Sequence, residues 1–301
     1  LADKKEEDLV IFVVSGGGST LLYLPPATMT CSEESELFKQ LTKKGAPIQD
    51  LNIVRKHISR ARGGALAVAA YPAEVVSLIF SDVPDNDFAT VSSGPTVFDS
   101  STIADAKAVL AKYEIVASEK IEFIETPKDQ KFFERVTNIL FITNQDALTA
   151  MENESVRLGY NTTVADDNFT GEAREVGRAI AENLHTAPAK TAFLYAGEST
   201  VKIDTGASIG GRNQEMALSA LEYLNPDELI MPFASDGHDN TDHSGAIADS
   251  TTRAHAHEKN LSTKEYLDAH RSYDFFSTTN DALVTGYTGS NVSDLVIALK
   301  K

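Results

Sequence analysis

Short apolar runs alternate with amphipathic stretches along this chain. The apolar runs are rich in valine and isoleucine and too short for helices, as is typical of strands buried on both faces of a parallel sheet. The predicted strands are Leu9–Ser15, Val75–Ser81, Asn138–Thr143, Thr191–Ala196, Leu229–Ala234 and a last strand, Leu295–Leu299. The segments with helical character are Ile48–Arg62, Ile103–Tyr113, Gln145–Leu158, Thr170–Leu184 and Asn213–Leu224. This alternation predicts an α/β fold with crossover connections.

Two stretches interrupt the alternation. Glu114–Lys131 carries charges and little periodicity, so we predict a loop or a short irregular excursion there. His185–Lys190 contains Thr186-Ala187-Pro188 and is the strongest candidate for a domain boundary. We therefore predict two domains, residues 1–187 and 188–301, each with a mostly parallel sheet flanked by helices.

Composition narrows the classes of partner. The chain has 301 residues, of which 42% are hydrophobic and 24% charged, as in ordinary globular proteins. Its net charge of −17 repels nucleic acid and anionic membranes, so we expect neither as a partner. The first apolar run, Leu9–Val14, is too short to span a bilayer, and no signal-peptide pattern precedes it. A single cysteine, Cys31, excludes an internal disulfide and fits a cytoplasmic protein.

A glycine cluster follows the first predicted strand. Ser15, Gly16, Gly17, Gly18 and Ser19 lie where ligands bind in parallel sheets, beyond a strand's carboxyl end. Consecutive glycines let several backbone N–H groups point at one anion. The pattern is neither a Walker A loop nor a dinucleotide fingerprint, and a flexible strand-to-helix turn is the alternative.

Further candidate charged groups lie on the predicted helix Ile48–Arg62 and after the second predicted strand. Arg55 and Lys56 suit a phosphate or a carboxylate, or else form an exposed basic helix face. Asp82, after the second strand, suits a base or a metal ligand, or else caps the next turn.

The second half of the chain carries the stronger arrangement. Gly210 and Gly211 place Arg212 at a helix N-terminus, where backbone donors, the helix dipole and a guanidinium combine to suit a phosphoryl group. An ion pair between Arg212 and Glu215 is the alternative. Asp236 opens a carboxylate cluster after the strand Leu229–Ala234, which suits Mg²⁺. His238 and His243 lie in that cluster without a zinc-like spacing.

Short motifs follow one another over nearly the whole chain. They are Ser-Gly-Gly-Gly-Ser at 15–19, Val-Arg-Lys-His at 54–57, Ser-Asp-Val at 81–83, Ser-Gly-Pro-Thr at 93–96, Gly-Glu-Ala-Arg-Glu-Val-Gly at 171–177, Gly-Glu at 197–198, Gly-Gly-Arg-Asn-Gln-Glu at 210–215, Asp-Gly at 236–237, and Thr-Gly at 285–286 with Asn-Val at 291–292. Together, in this order, they resemble the glycerate 2-kinase family, whose C-terminal part is called the MOFRL domain.

The resemblance implies an enzyme that uses ATP and Mg²⁺ to phosphorylate the 2-hydroxyl of D-glycerate. It implies a Rossmann-like first domain, a MOFRL second domain and a cleft between them. It also implies roles there for Asp82, Glu198, Arg212, Asp236 and Asn291. Combined with the patterns above, the assignments are Arg212, Asp82 and Glu198 for catalysis; Ser15, Gly16, Gly17, Gly18, Ser19, Lys56 and Asn291 for the nucleotide; and Asp236 and Asp239 for the metal.

The chain departs from the family at three places. The family has Gly-Asp-Asp where this chain has Asp85-Asn86-Asp87, and Thr-Asp-Gly-Ile-Asp-Gly where it has residues 235–240. The family also carries a further segment before the glycine cluster, with an active-site lysine. From that difference we expect weak activity from this chain and a tendency to form homo-oligomers.

Two other functions compete with the kinase. Some members of the family are labelled hydroxypyruvate reductases, which would use NAD(P)H, but the glycine cluster lacks the dinucleotide-binding pattern. The other alternative is a non-catalytic binding homologue that keeps only part of the site.

Overall fold

The computed structural model describes residue 1 and residues 3–15, 21–80, 88–116, 121–202 and 209–301. The chain forms two compact units, residues 1–142 and 143–301, and each contains its own sheet and helices. Residues 143–187 thus belong to the second unit by their contacts. The assignment of family domains to 1–187 and 188–301 stays a prediction. Among the described residues, no helix has the length and apolar character needed to cross a membrane.

The first unit contains a parallel three-stranded sheet in the order β1-β2-β3. Its strands are β1 (Leu9–Val14), β2 (Glu74–Phe80) and β3 (Val136–Ile142), and its helices are α1 (Cys31–Lys43), α2 (Ile48–Lys56), α3 (Ala65–Ala70) and α4 (Ile103–Lys112). Short 3₁₀ turns cover Val91–Ser93 and Gln130–Phe132. Helices α1, α2 and α4 share an apolar core that includes Leu41, Val54 and Leu110. The three strands predicted for this region are confirmed.

Helix α2 is shorter than the predicted helix over Ile48–Arg62. It ends at Lys56, and His57 is its C-cap. The buried His57 ring bonds to the carbonyl of Ile124 through Nδ1 (3.0 Å) and to the hydroxyl of Ser101 through Nε2 (3.2 Å). These tertiary bonds hold the residue that caps the helix, and periodicity alone does not reveal them.

One face of the first sheet is apolar and open to solvent. Leu9, Ile11 and Val13 alternate along β1 and are all more than half exposed. Ile139 and Phe141 of β3 are also exposed and share this face through the register across β2. We call these five side chains the apolar face.

The second unit contains a mixed seven-stranded sheet in the order β4-β5-β10-β6-β7-β9, with β8 paired to β6. Its strands are β4 (Asn161–Glu172), β5 (Thr191–Thr200), β6 (Glu228–Ala234), β7 (Gly245–Ala246), β8 (Ala248–Asp249), β9 (Ala282–Leu283) and β10 (Asp294–Lys300). Among the strands that the structure describes in this sheet, only β4 and β5 pair in parallel, whereas β10 runs antiparallel to both β5 and β6. The prediction of a mostly parallel sheet is therefore wrong for this unit. A strand buried on both faces has the same apolar composition in either direction, so composition does not report direction.

Helices pack densely against this second sheet. They are α5 (Asn144–Arg157), α6 (Ala173–His185), α7 (Arg212–Leu221), α8 (Ser250–Glu258), α9 (Thr263–Asp268) and α10 (Ser272–Thr279). The main core includes Met216, Leu218, Phe275 and Val296. At Gly177 in α6, a Cβ atom would lie 2.4 Å from the carbonyl oxygen of Met216 in α7. The last glycine of the 171–177 motif thus lets two helices approach closely.

Candidate active site

Helix α7 begins beside a buried carboxylate that caps it. Its N-cap is Gly211, which has no side chain for capping. Asp239 supplies the acceptors instead: Oδ1 accepts the N–H of Asn213 (3.1 Å) and Oδ2 that of Gln214 (2.8 Å). A Cβ atom at Gly211 would lie 2.1 Å from Cγ of Asp239, so only glycine fits here. The helix start is therefore held against the turn that follows β6.

Two carboxylates hold the guanidinium of Arg212, the first residue of α7. Nε donates to Oδ2 of Asp294 at 2.5 Å, and Nη2 donates to Oδ1 of the same residue at 3.2 Å. Nη1 donates to Oε1 of Glu198 in β5. The Arg212 side chain is 35% exposed, that of Glu198 51% and that of Asp294 only 2%. The predicted alternative, a pair between Arg212 and Glu215, is not what the structure contains: Glu215 pairs with Arg174 and His270.

The charges of this cluster are strongly coupled. Burial opposes the charge on Arg212, but the hydrogen bonds and charges of Asp294 and Glu198 outweigh that effect and raise the pKa of the guanidinium. Burial raises the pKa of Asp294 to about 6, although its hydrogen bonds from Arg212 act in the opposite direction. Arg212 is thus a permanent cation, whereas Asp294 changes charge in mildly acidic solution.

A cavity of about 500 Å³ opens beside Arg212. Its walls come from the end of β5, the start of α7, the turn after β6 and the start of α10, and include Ser199, Gly210, Arg212, His238, His270 and Ser272. Among the residues described, the buried hydroxyls of Ser199 and Ser272 have no hydrogen-bond partner. A cation and two unsatisfied hydroxyls around one cavity suit a small anionic or polyhydroxylated ligand.

The turn after β6 and the loop before β10 are bonded to each other. The carbonyl of Asp236 accepts the N–H of Thr288 (3.1 Å), and the hydroxyl of Ser235 accepts that of Val292 (2.9 Å). At Gly237 a Cβ atom would lie 1.9 Å from the carbonyl oxygen of Gly286, so the Asp-Gly and Thr-Gly motifs meet in space. These contacts place Asp236 beside the loop that carries Asn291.

The two predicted metal ligands differ in their surroundings. Both oxygens of Asp239 are engaged by α7, which favours an anchoring role. Oδ1 of Asp236 accepts the N–H of its neighbour His238 at 2.9 Å, in a more open position. Within the described ranges, no group of three or more His, Cys, Asp or Glu side chains is arranged to hold a metal ion.

The structure describes only some of the predicted site residues of the first unit. Gly16, Gly17, Gly18, Ser19 and Asp82 lie outside the described residues. The carbonyl of Ser15 accepts the hydroxyl of Ser92 at 3.0 Å, beside a cavity of about 410 Å³. Ser92, Ser93 and Gly94 all have left-handed backbones, with φ of 51°, 61° and 60°. Such strain concentrates at functional sites, which supports a role for the Ser-Gly-Pro-Thr motif.

Lys56 lies in a buried network rather than on an open surface. Its Nζ is 3.1 Å from Oδ1 of Asp99, and both side chains are about nine-tenths buried. The other oxygen of Asp99 accepts the hydroxyls of Ser101 (2.7 Å) and Thr126 (3.0 Å). Burial would raise the pKa of Asp99, but these hydrogen bonds and the charge of Lys56 together lower it. Lys56 therefore has a fixed carboxylate partner within its own unit.

The site contains residues that the sequence patterns did not indicate. Asp294 was missed because one acidic residue before an apolar strand is common at strand ends. Ser199 and Ser272 were missed because an isolated serine carries no spacing signal. The one available hint for Asp294 was its position two residues after the Asn-Val motif at 291–292.

These features define a class of protein: an α/β protein with an arginine fixed at a helix N-terminus beside a polar cavity, an arrangement that suits phosphate-bearing ligands. A family model described as a domain of unknown function (DUF4147) matches residues 1–124, and the model of the MOFRL family matches residues 191–294. The chain is 37% identical to the D-glycerate 2-kinase of Thermotoga maritima, over 98% of this chain and 73% of that protein. The chain belongs to the glycerate 2-kinase family.

Other comparisons agree with this assignment. The glycerate 2-kinase of Pyrococcus horikoshii is 35% identical over 98% of this chain and 71% of its own length. A putative hydroxypyruvate reductase of Agrobacterium vitis is 36% identical over 96% of this chain and 69% of its own length. The crystal structure of the Thermotoga maritima glycerate kinase superposes with a TM-score of 0.87 at 34% identity, covering 99% of this chain and 75% of that one.

Proposed function

We propose that this protein transfers a phosphoryl group from ATP to the 2-hydroxyl of D-glycerate, giving 2-phosphoglycerate. The observation that carries the proposal is the fixed guanidinium of Arg212 beside a polar cavity. Phosphoryl transfer depends mainly on positioned positive charge, because charge spreads over the equatorial oxygens in the transition state. The similarity to glycerate 2-kinases supports the choice of acceptor.

In this proposal Arg212 binds the transferred group, with Asp82 and Glu198 as the other catalytic residues. The Ser15–Ser19 segment and Asn291 bind the nucleotide. The buried pair with Asp99 counts against the predicted nucleotide contact of Lys56, which stays a prediction.

Mg²⁺ would accompany ATP, and Asp236 is the residue we assign to it. Carboxylate oxygen is the ligand that Mg²⁺ prefers, and Asp236 is less enclosed than Asp239. The predicted cleft between the two family domains, a cytoplasmic location and homo-oligomer formation stay predictions.

The decisive experiment measures ADP release with D-glycerate, with L-glycerate as the control acceptor. The product is identified by adding enolase, which consumes 2-phosphoglycerate directly and 3-phosphoglycerate only when a mutase is also present. We expect ADP release with D-glycerate alone, followed by enolase turnover without the mutase. ATP-dependent turnover that needs the mutase would contradict the 2-hydroxyl assignment.

The reductase is tested in parallel, because a relative of similar identity carries that name. Oxidation of NADH in the presence of hydroxypyruvate, without ADP release from D-glycerate, would replace the kinase proposal. Binding of ATP with neither reaction would favour the non-catalytic homologue.

A further inference from the structure

The proposed function requires a guanidinium that stays in one place. An arginine side chain has several freely rotating bonds, and about a third of Arg212 is exposed, so its own helix does not fix it. Any order in the guanidinium must come from the groups that bind it. Among the described residues these are two carboxylates, which differ in how firmly they are held.

Asp294 is the more rigid of the two partners. It is the first residue of β10, and it pairs with Gly197 of β5 on one side and Ala234 of β6 on the other. Its side chain is 2% exposed, and its two oxygens each accept one N–H from the same edge of the guanidinium. A buried, two-point contact from the middle of a sheet leaves the guanidinium little freedom.

Glu198 is held much more loosely. Its side chain is half exposed and contacts only the Nη1 end of the guanidinium. Water competes for an exposed carboxylate, so such a contact contributes little to order. The two partners therefore bind opposite parts of one cation with very different rigidity.

We propose that Asp294 is a positioning residue: it fixes the Nε–Nη2 edge of Arg212 and so holds the plane of the guanidinium in the orientation that binds the anionic group of the substrate. This inference rests on the proposed function. Asp294 itself need not touch the substrate, because its effect passes through Arg212. Displacing a catalytic group by about 1 Å can lower the rate about 100-fold.

The test compares two isosteric changes of buried carboxylates in the same sheet. Asp294→Asn removes the charge that holds Arg212. Glu228→Gln removes the charge of a fully buried carboxylate that pairs with Lys300, at the opposite end of β10. We expect Asp294→Asn to lower kcat about 100-fold with KM changed much less, and Glu228→Gln to leave kcat within a few-fold. Equal kcat in Asp294→Asn and the parent would overturn the proposal.

A second measurement follows Arg212 directly and needs no activity. The NMR signal of the Arg212 Nε–H group is assigned by its loss in Arg212→Lys. We expect this proton to exchange slowly with water in the parent protein and in Glu228→Gln, and rapidly in Asp294→Asn. Rapid exchange in the parent protein would overturn the proposal even if Asp294→Asn failed to fold. If the parent protein does not phosphorylate D-glycerate, the proposed function fails, whereas this resonance still decides whether Asp294 anchors Arg212.

Discussion

At the scale of single residues, Arg212 is the side chain on which the chemistry depends. Lysine keeps the positive charge, but its ammonium group lacks the planar set of N–H donors with which arginine bonds to both oxygens of Asp294 and to Glu198 at once. We expect Arg212→Lys to lower kcat at least about 1,000-fold, the lower end of the range for arginines that stabilise a transferring phosphoryl group.

The control for this change is Arg178→Lys. Arg178 is a half-exposed residue of α6 whose partners are Glu175 and Glu182 of the same helix. It should leave kcat unchanged, and circular dichroism should show that both variants keep the fold. Turnover of Arg212→Lys within a few-fold of the parent would remove Arg212 from the chemistry.

The raised pKa of Asp294 predicts that acidic pH lowers kcat but increases the free energy of unfolding. Its neighbours are Arg212, Asn213 and Asp239, and burial raises its pKa to about 6. Protonation removes the charge that binds Arg212, so kcat should fall as the pH drops through about 6. An unfolded aspartate has a pKa of about 3.9, so the folded protein binds this proton more tightly. Asp294 therefore adds to the free energy of unfolding below about pH 4, and that contribution is lost as the pH rises through its folded pKa.

Profiles of kcat and of the urea midpoint against pH test both effects. In Asp294→Asn, the remaining kcat should no longer fall as the pH drops through the folded pKa of Asp294. The urea midpoint of this variant should also vary less with pH in that range. An unchanged pH profile in Asp294→Asn would assign the titration to another group.

At the scale of secondary structure, the start of α7 depends on a residue far along the chain. Asp239 accepts two backbone N–H groups of a helix that has no capping side chain of its own. We expect Asp239→Ala to lower the free energy of unfolding by about 2 kcal/mol, the upper end of the range for loss of an N-cap. The reason is that the N–H groups of Asn213 and Gln214 would stay buried without a hydrogen-bond acceptor. The substitution should also lower kcat, because Arg212 is the first residue of this helix.

Asp249→Ala is the matched control for this loss of a cap. Asp249 caps α8 through the N–H groups of Thr251 and Thr252, at 2.7 and 3.0 Å. Urea unfolding should show a smaller destabilisation of about 1 kcal/mol, and kcat should not change. Equal kinetic effects of the two substitutions would mean that the start of α7 has no special link to the reaction.

The same elements show how far the sequence predicts this molecule. The strand at Leu295–Leu299 and the helix after Arg212 are confirmed by β10 and α7, because apolar periodicity reports burial. The direction of β10 was not predictable, because its neighbours in the sheet are set by long-range packing. The bond between Arg212 and Asp294, and that between Lys56 and Asp99, join residues far apart in sequence, and no local pattern reports such pairs.

At the scale of the whole molecule, the apolar face exposes five large apolar side chains on one side of the first sheet. Contiguous exposed apolar side chains favour association or dye binding, because covering them removes apolar area from water. We expect the double change Ile11→Thr and Val13→Thr to reduce both 8-anilinonaphthalene-1-sulfonate fluorescence and concentration-dependent light scattering. Threonine keeps the β-branched shape that suits a strand.

Val156→Thr serves as the control, since Val156 is similarly exposed but lies on helix α5 of the second unit. It should change neither signal appreciably. If the double variant binds as much dye as the parent protein, the apolar face is not the surface responsible.

The central position of β10 has a consequence for synthesis on the ribosome. Of the strands described in this sheet, β10 comes last along the chain, yet it lies between β5 and β6, which are translated earlier. Until residues 294–300 emerge, those two strands expose unpaired edges toward the gap that β10 will fill. Asp294 arrives with the same strand, so no nascent chain that lacks it can hold Arg212 in place. The sheet and the candidate active site are therefore completed together, in one late step with long-range contacts.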